Sequence, residues 1–176
     1  LIDKVNQVAA CASAGGQGRI VVKMNALTDE KLIDALIRAG QSGAKIDLIV
    51  RGACMLRAQV PGFTDNIQVR SVVGRFLEHT RVFYFGRDEE EELFLSSADW
   101  MNRNMIRRVE LAWPVKDPVL RQRIIDEGLV PYLHDNVDAW ELLPDGSYAR
   151  IKPEGRRPPR GAQDALMARY NGLFKT

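Results

Sequence analysis

The chain has 176 residues, of which 45% are hydrophobic and 27% charged, a balance that suits one soluble globular domain with or without a tail. A net charge of +2 excludes a general nucleic-acid surface. No run approaches the roughly 18 consecutive apolar residues of a membrane span. No secretory signal is visible. The two cysteines, Cys11 and Cys54, match no metal spacing, and the reading is buried free thiols in a reducing cytoplasm. With two histidines in the chain, a zinc site is not expected. Arginine predominates among the basic residues, and its planar fork meets phosphate or carboxylate through paired hydrogen bonds.

Leu1, Val5 and Val8 share a helical face, so residues 1–14 read as a helix that stops at Gly15-Gly16. The chain has no initiator Met and opens already in helical spacing, which reads as a segment of something longer. Arg19 to Lys23 is a β-branched run, a buried strand. Thr28 is the expected N-cap of a second helix, with Asp29 and Glu30 complementing its positive end. Leu32, Ile33, Leu36 and Ile37 form its apolar stripe, and Gly40 or Gly43 ends it. Ile46 to Val50 is a second strand, completing a strand–helix–strand unit whose strands run parallel. Ile67 to Val73, Arg81 to Phe85 and Leu93 to Ser96 are further strands, with the acidic run Asp88 to Glu92 as a solvated hairpin. Arg107 to Trp113 is another strand candidate, stopped by Pro114. Asp117-Pro118 opens a helix that runs to Glu127-Gly128. Residues 140–143 and 147–150 form a small hairpin about Pro144-Asp145-Gly146. Gly155 to Gly161 is a linker, and Gln163 to Phe174 a last helix. Trp100, Trp113 and Trp140 are read as core or interface anchors. The expected fold is α/β, a mixed, mainly parallel sheet flanked by helices. Residues 1–151 form the domain proper, and 152–176 its C-terminal linker and helix.

Ligands in open α/β sheets gather beyond the C-terminal ends of the strands. Lys23, Asn25 and Arg51 fall at two such ends. If His79 enters the strand that follows, it shares a face with Arg81. A guanidinium can neutralise phosphoryl oxygens while the imidazole donates to one of them. A strand-end histidine bonded to backbone is the plainer alternative. Ser96 to Asn104 leaves the next strand rich in hydrogen-bonding groups. There Asp99 can orient His79, or Ser97 or Asp99 can cap a helical turn. Arg107 and Arg108, as strand neighbours, face opposite sides, so at most one enters a shared pocket and the other is left for a surface pair with Glu110. Gly15-Gly16-Gln17-Gly18 precedes a strand instead of following one, the wrong order for a phosphate-cradling loop.

Four segments in order, Lys23-Met24-Asn25, Leu48 to Gly52, Val73 to His79 and Leu95 to Asn104, resemble the C-terminal domain of bacterial polyphosphate kinase of the long, multidomain type. That resemblance covers nearly the whole chain. It implies a phospholipase-D-like α/β domain and a kinase that moves the terminal phosphate of ATP to a histidine and then to polyphosphate, with magnesium. The reverse reaction makes ATP. It implies that Arg51 contacts ATP phosphates, that His79 is the second active-site histidine, and that Arg108 is a further phosphate ligand. Lys23, Asn25, Arg81, Ser97 and Asp99 support them. Arg81 stands where the phospholipase D half-motif has Lys. The phosphorylated histidine lies in a preceding domain, and His134, following a helix without arginine company, is not its counterpart. Magnesium, too, is held mainly outside this chain. The expected partners are ATP or ADP, inorganic polyphosphate, the preceding domains of the same polypeptide and further copies of it. The expected location is the cytoplasm, with peripheral membrane attachment left open. Two alternatives stand beside this: a homodimeric phosphodiesterase using His79 as nucleophile, and a module that only docks onto a neighbour.

Overall fold

In the computed structural model, which describes residues 1–155 and 158–171, eight strands form one mixed sheet in the order β6-β5-β4-β1-β2-β3-β7-β8. The strands are β1 (Gly18–Met24), β2 (Lys45–Val50), β3 (Ile67–Val72), β4 (Val82–Arg87), β5 (Glu90–Ser96), β6 (Ala112–Pro114), β7 (Ala139–Leu142) and β8 (Tyr148–Arg150). The helices are α1 (Ile2–Ser13), α2 (Glu30–Gln41), α3 (Asn102–Arg107), α4 (Pro118–Gly128), α5 (Val130–Leu133) and α6 (Ala162–Asn171).

The expected predominance of parallel pairing holds only at the centre. β1, β2 and β3 are parallel neighbours, whereas β4, β5, β6, β7 and β8 all join antiparallel. The reason lies in the connections. Only α2 joins β1 to β2 as a helical crossover, while β4–β5 and β7–β8 are tight hairpins, which impose antiparallel pairing.

Side chains alternate across the sheet and feed two cores. Ile20, Val22, Leu48, Val50, Phe83 and Phe85 face α1 and α2, packing against Val5, Val8, Leu32 and Leu36. Val21, Ile49, Val72, Val82 and Leu93 face the other way, onto Leu129, Tyr132 and Ala162 from the C-terminal helices. Of the three tryptophans, Trp100 is the core anchor. It is fully buried, with its ring edge-on to Phe83 at 5.2 Å between centroids, while Trp113, on the edge strand β6, and Trp140, on β7 next to the other edge, are exposed.

Local departures from the sequence reading have local causes. The cap of α2 is Asp29, not Thr28: the Asp29 carboxylate accepts from Leu32 N at 3.0 Å. Thr28 N is instead taken by Trp100 O. The helix stops at Gln41, and Gly43 follows with φ +99°, a conformation glycine adopts without strain. The acidic run is not all hairpin, since Glu90, Glu91 and Glu92 belong to β5 and pair with Arg87, Arg121 and Lys4. Arg107 closes helix α3 and Arg108 caps it, so neither lies in a strand, and β6 is reduced to three residues. The Asp117 cap of α4 is as expected, its carboxylate accepting from Val119 N and Leu120 N. Cys11 and Cys54 are free but only half-buried. The last helix begins at Ala162; its expected end at Phe174, like residues 156 and 157 of the linker, lies outside the described residues.

Candidate functional site

β1, β2 and β3 are parallel and β5 runs with them, because two antiparallel steps intervene. Their C-terminal ends therefore share one edge of the sheet, and the start of β4 lies there too, opposite Lys23. The segments after Met24, Val50, Val72 and Ser96 all emerge at this edge. They are stitched together by backbone bonds: Leu27 N to Ala53 O, Met55 N to Leu27 O, and Thr28 N to Trp100 O. Topology alone thus gathers residues from four distant stretches.

A narrow crevice opens at this edge, lined by Lys23, Asn25, Arg51, Glu78, Thr80 and Tyr132 among others. Residues 78 and 80 flank His79, so Arg51 and the histidine segment meet on the same side of the molecule.

Arg51 is half-buried and anchored at one end. Its Nε donates to Asn25 Oδ1 at 3.0 Å, and its carbonyl accepts from the Ser71 hydroxyl. Among the described residues nothing accepts from its two terminal nitrogens. Because Asn25 Oδ1 faces Arg51, the amide nitrogen faces away, and this Nδ2 is buried without a protein acceptor. A buried donor without a partner costs free energy of about 1–3 kcal/mol.

Asn25 N donates to Asp99 Oδ1 at 2.7 Å. Asp99 also takes one edge of the Arg81 guanidinium through two bonds, Nε at 3.0 Å and Nη2 at 2.9 Å. Burial pushes the Asp99 carboxyl up, but the bonds from Arg81 and Asn25 outweigh it and hold it below the usual range. Arg81 Nη1 in turn donates to His79 O at 2.9 Å. A continuous chain, Arg51–Asn25–Asp99–Arg81–His79, therefore links the free guanidinium to the backbone of the histidine.

This corrects two expectations. Asp99 does not orient the His79 ring; it is occupied by Arg81. His79 does not enter β4 and does not share a strand face with Arg81: its segment stays irregular until Val82, and its side chain is exposed. A third concerns Lys23, which is 6% exposed and not free for phosphate. Its ammonium is paired with Glu78 Oε2 at 2.6 Å and sits over the Tyr132 ring at 4.2 Å, because a buried ammonium requires a partner. Burial pushes it below its ordinary value against the opposing pull of Glu78. Ser97 lies outside the crevice; it bonds Glu110 and receives Leu111 N at 3.0 Å, closing the β5–β6 connection. That also takes Glu110 away from the pairing expected with an arginine. Arg108 is exposed at the end of α3. His134 is exposed at the end of α5.

Sequence reasoning missed Glu78, Tyr132 and Gln163. Glu78 stood in the Glu78-His79-Thr80-Arg81 stretch, but its partners are 55, 54 and 85 positions away, and no local signal marks them.

Among the described residues no group of three His, Cys, Asp or Glu side chains could hold a metal ion. Glu78 in the crevice and Asp99 behind Asn25 already accept from cationic donors. The residues here do not fit the magnesium that the resemblance implies.

Residues 1–163 match the family model described as polyphosphate kinase C-terminal domain 2. The chain belongs to that family. It is 51% identical over 171 residues to a polyphosphate kinase of Pseudomonas putida, covering 97% of this chain and 23% of the relative. The polyphosphate kinase of Pseudomonas aeruginosa is 50% identical over 167 residues, covering 95% and 24%. The crystal structure of polyphosphate kinase from Porphyromonas gingivalis superposes with a TM-score of 0.86 at 37% identity, over 97% of this chain and 26% of that one. This polyphosphate kinase domain thus spans about a quarter of the length of the curated relatives it matches. None of its described helices is long and apolar enough to cross a membrane.

Proposed function

We propose that this domain supplies ATP- and phosphate-binding groups to a polyphosphate kinase. That enzyme reversibly moves the terminal phosphate of ATP to polyphosphate through a phosphohistidine on a preceding domain of the same polypeptide. The observation that carries the reading is the pairing of an uncommitted guanidinium end on Arg51 with the buried, partnerless Nδ2 of Asn25 in one crevice. A guanidinium held by its Nε at a rigid strand end, with its terminal nitrogens uncommitted, suits phosphoryl oxygens. In this reading His79, on the segment bordering the crevice, donates to an oxygen at transfer.

Arg81, Asp99 and Lys23 act behind these groups, since their charges are already satisfied within the protein. Arg108, exposed at the end of α3, does not line the crevice. The phosphodiesterase alternative gains nothing from this geometry: it needs a basic residue facing the histidine ring, and Arg81 faces Asp99.

The test is Arg51→Ala in the complete kinase. Loss of a charge-assisted contact of about 1.5–3 kcal/mol lowers kcat/KM for ATP at least tenfold, and unchanged kinetics refute the assignment. By itself the domain is expected to bind inorganic phosphate weakly and to make no polyphosphate from ATP, because the other half of the site supplies orientation and water exclusion. Calorimetry with phosphate and a radiolabel assay for polymer check both halves of that statement.

A further inference from the structure

The segment 73–81 that carries His79 has no helix or strand ladder of its own, yet it is pinned on both sides of the histidine. Upstream, Gln163 at the start of α6 brackets the Phe76 peptide. Its Oε1 accepts from Phe76 N at 2.8 Å, and its Nε2 donates to Phe76 O at 2.9 Å and to Glu78 Oε1 at 2.7 Å. The other oxygen of Glu78 takes Lys23 Nζ and Tyr132 Oη, each at 2.6 Å. Downstream, Arg81 holds His79 O. The histidine ring is thus exposed on a loop whose backbone is fixed from β1, α5 and α6 at once.

Gln163 is itself 7% exposed. A buried amide is costly unless all its bonds are made, and a position serving only the core would be filled as well by an apolar side chain. Here both ends of the amide are spent on the segment 76–78. An unanchored surface loop would leave the imidazole to search many orientations, and fixing its backbone removes most of that entropy before substrate arrives.

We infer that Gln163, acting through the Phe76 peptide and Glu78, is the positioning residue for His79, so that α6 belongs to the active site without contributing a group to the crevice. This inference rests on the role given to His79 above.

The experiment is a double-mutant cycle in the complete kinase. Gln163→Met keeps the side-chain length and removes the three hydrogen bonds. Its kcat is expected to fall between about ten- and a hundredfold, as misplacing a reacting group does. KM for ATP should stay within about twofold, since Arg51 and Asn25 are untouched. Gly74→Ala approaches from the other side: an added Cβ would lie 2.5 Å from Gln163 Oε1, so it displaces the amide and gives the same loss with Gln163 intact. In a His79→Ala background Gln163→Met should cost nothing more. Thermal unfolding of each variant identifies any that fails to fold, and the other then supplies the readout. Wild-type turnover for His79→Ala would remove the role of His79 itself. A slow His79→Ala enzyme in which Gln163→Met multiplies the loss by the same factor as in wild type would overturn positioning while leaving the phosphate site standing.

Discussion

Asp99 accepts two bonds from one edge of the Arg81 guanidinium and a third from the Asn25 backbone amide, and a carboxylate so engaged is a stability element as well as a site element. Its folded pKa lies below the ordinary 3.8. Its contribution is therefore fully present above that value and is lost as pH falls through the lower folded one. Asp99→Asn leaves the part-buried Arg81 guanidinium without its counter-charge and is expected to cost about 3 kcal/mol near neutral pH. The gap between variant and wild type should close as the pH is lowered below about 4. Denaturant titrations at several pH values decide this; a gap independent of pH would mean that the carboxylate charge is not what stabilises the pair. At this scale the sequence identified Arg51, Asn25, Arg81 and Asp99 as the polar groups of interest. It paired them wrongly, matching Asp99 with His79. Composition shows which donors and acceptors exist, but eighteen positions separate Arg81 from Asp99 across the β4–β5 hairpin, and only the hairpin register sets which of them touch.

Helix caps and strand ends were read to within a residue or two where one residue does one job. Asp117 before Pro118 has no competing acceptor nearby, and it caps α4 as expected. Thr28 and Asp29 are adjacent candidates, and the choice fell to Asp29 because Trp100 O captures the Thr28 and Asp29 amides and sets where the helix starts. Asp29→Ala is expected to cost about 1–2 kcal/mol, at the upper end because the residue is 5% exposed. Thr28→Ala should cost less, and a thermal melt of the two variants checks the ranking. The stretch after Asn102 misled because Arg107-Arg108-Val109 has neither cap nor clear period. There the helix α3 forms on local contacts to Met101 and stops at Arg108. As Arg108 is exposed, Arg108→Ala should leave stability within about 0.5 kcal/mol of wild type. A measured loss beyond that would mean the side chain packs against the protein.

Across the molecule, the sheet edge that gathers the crevice is held to the core by Trp100. Its ring is buried on Phe83, and its carbonyl holds the start of α2. Trp100→Ala is expected to cost about 3–5 kcal/mol and to loosen the segments around Asn25 and Asp99 together. A melt accompanied by a rise in KM for ATP would show both effects. The sequence alone determined the α/β class and the central strand–helix–strand unit. Each depends on local periodicity. Only the tertiary structure decided which strands pair antiparallel, that Lys23 is consumed by Glu78, and that Gln163 grips the histidine segment from 87 positions away. Contacts of that span depend on how the whole chain packs, and packing leaves no periodic trace in the residues that it joins.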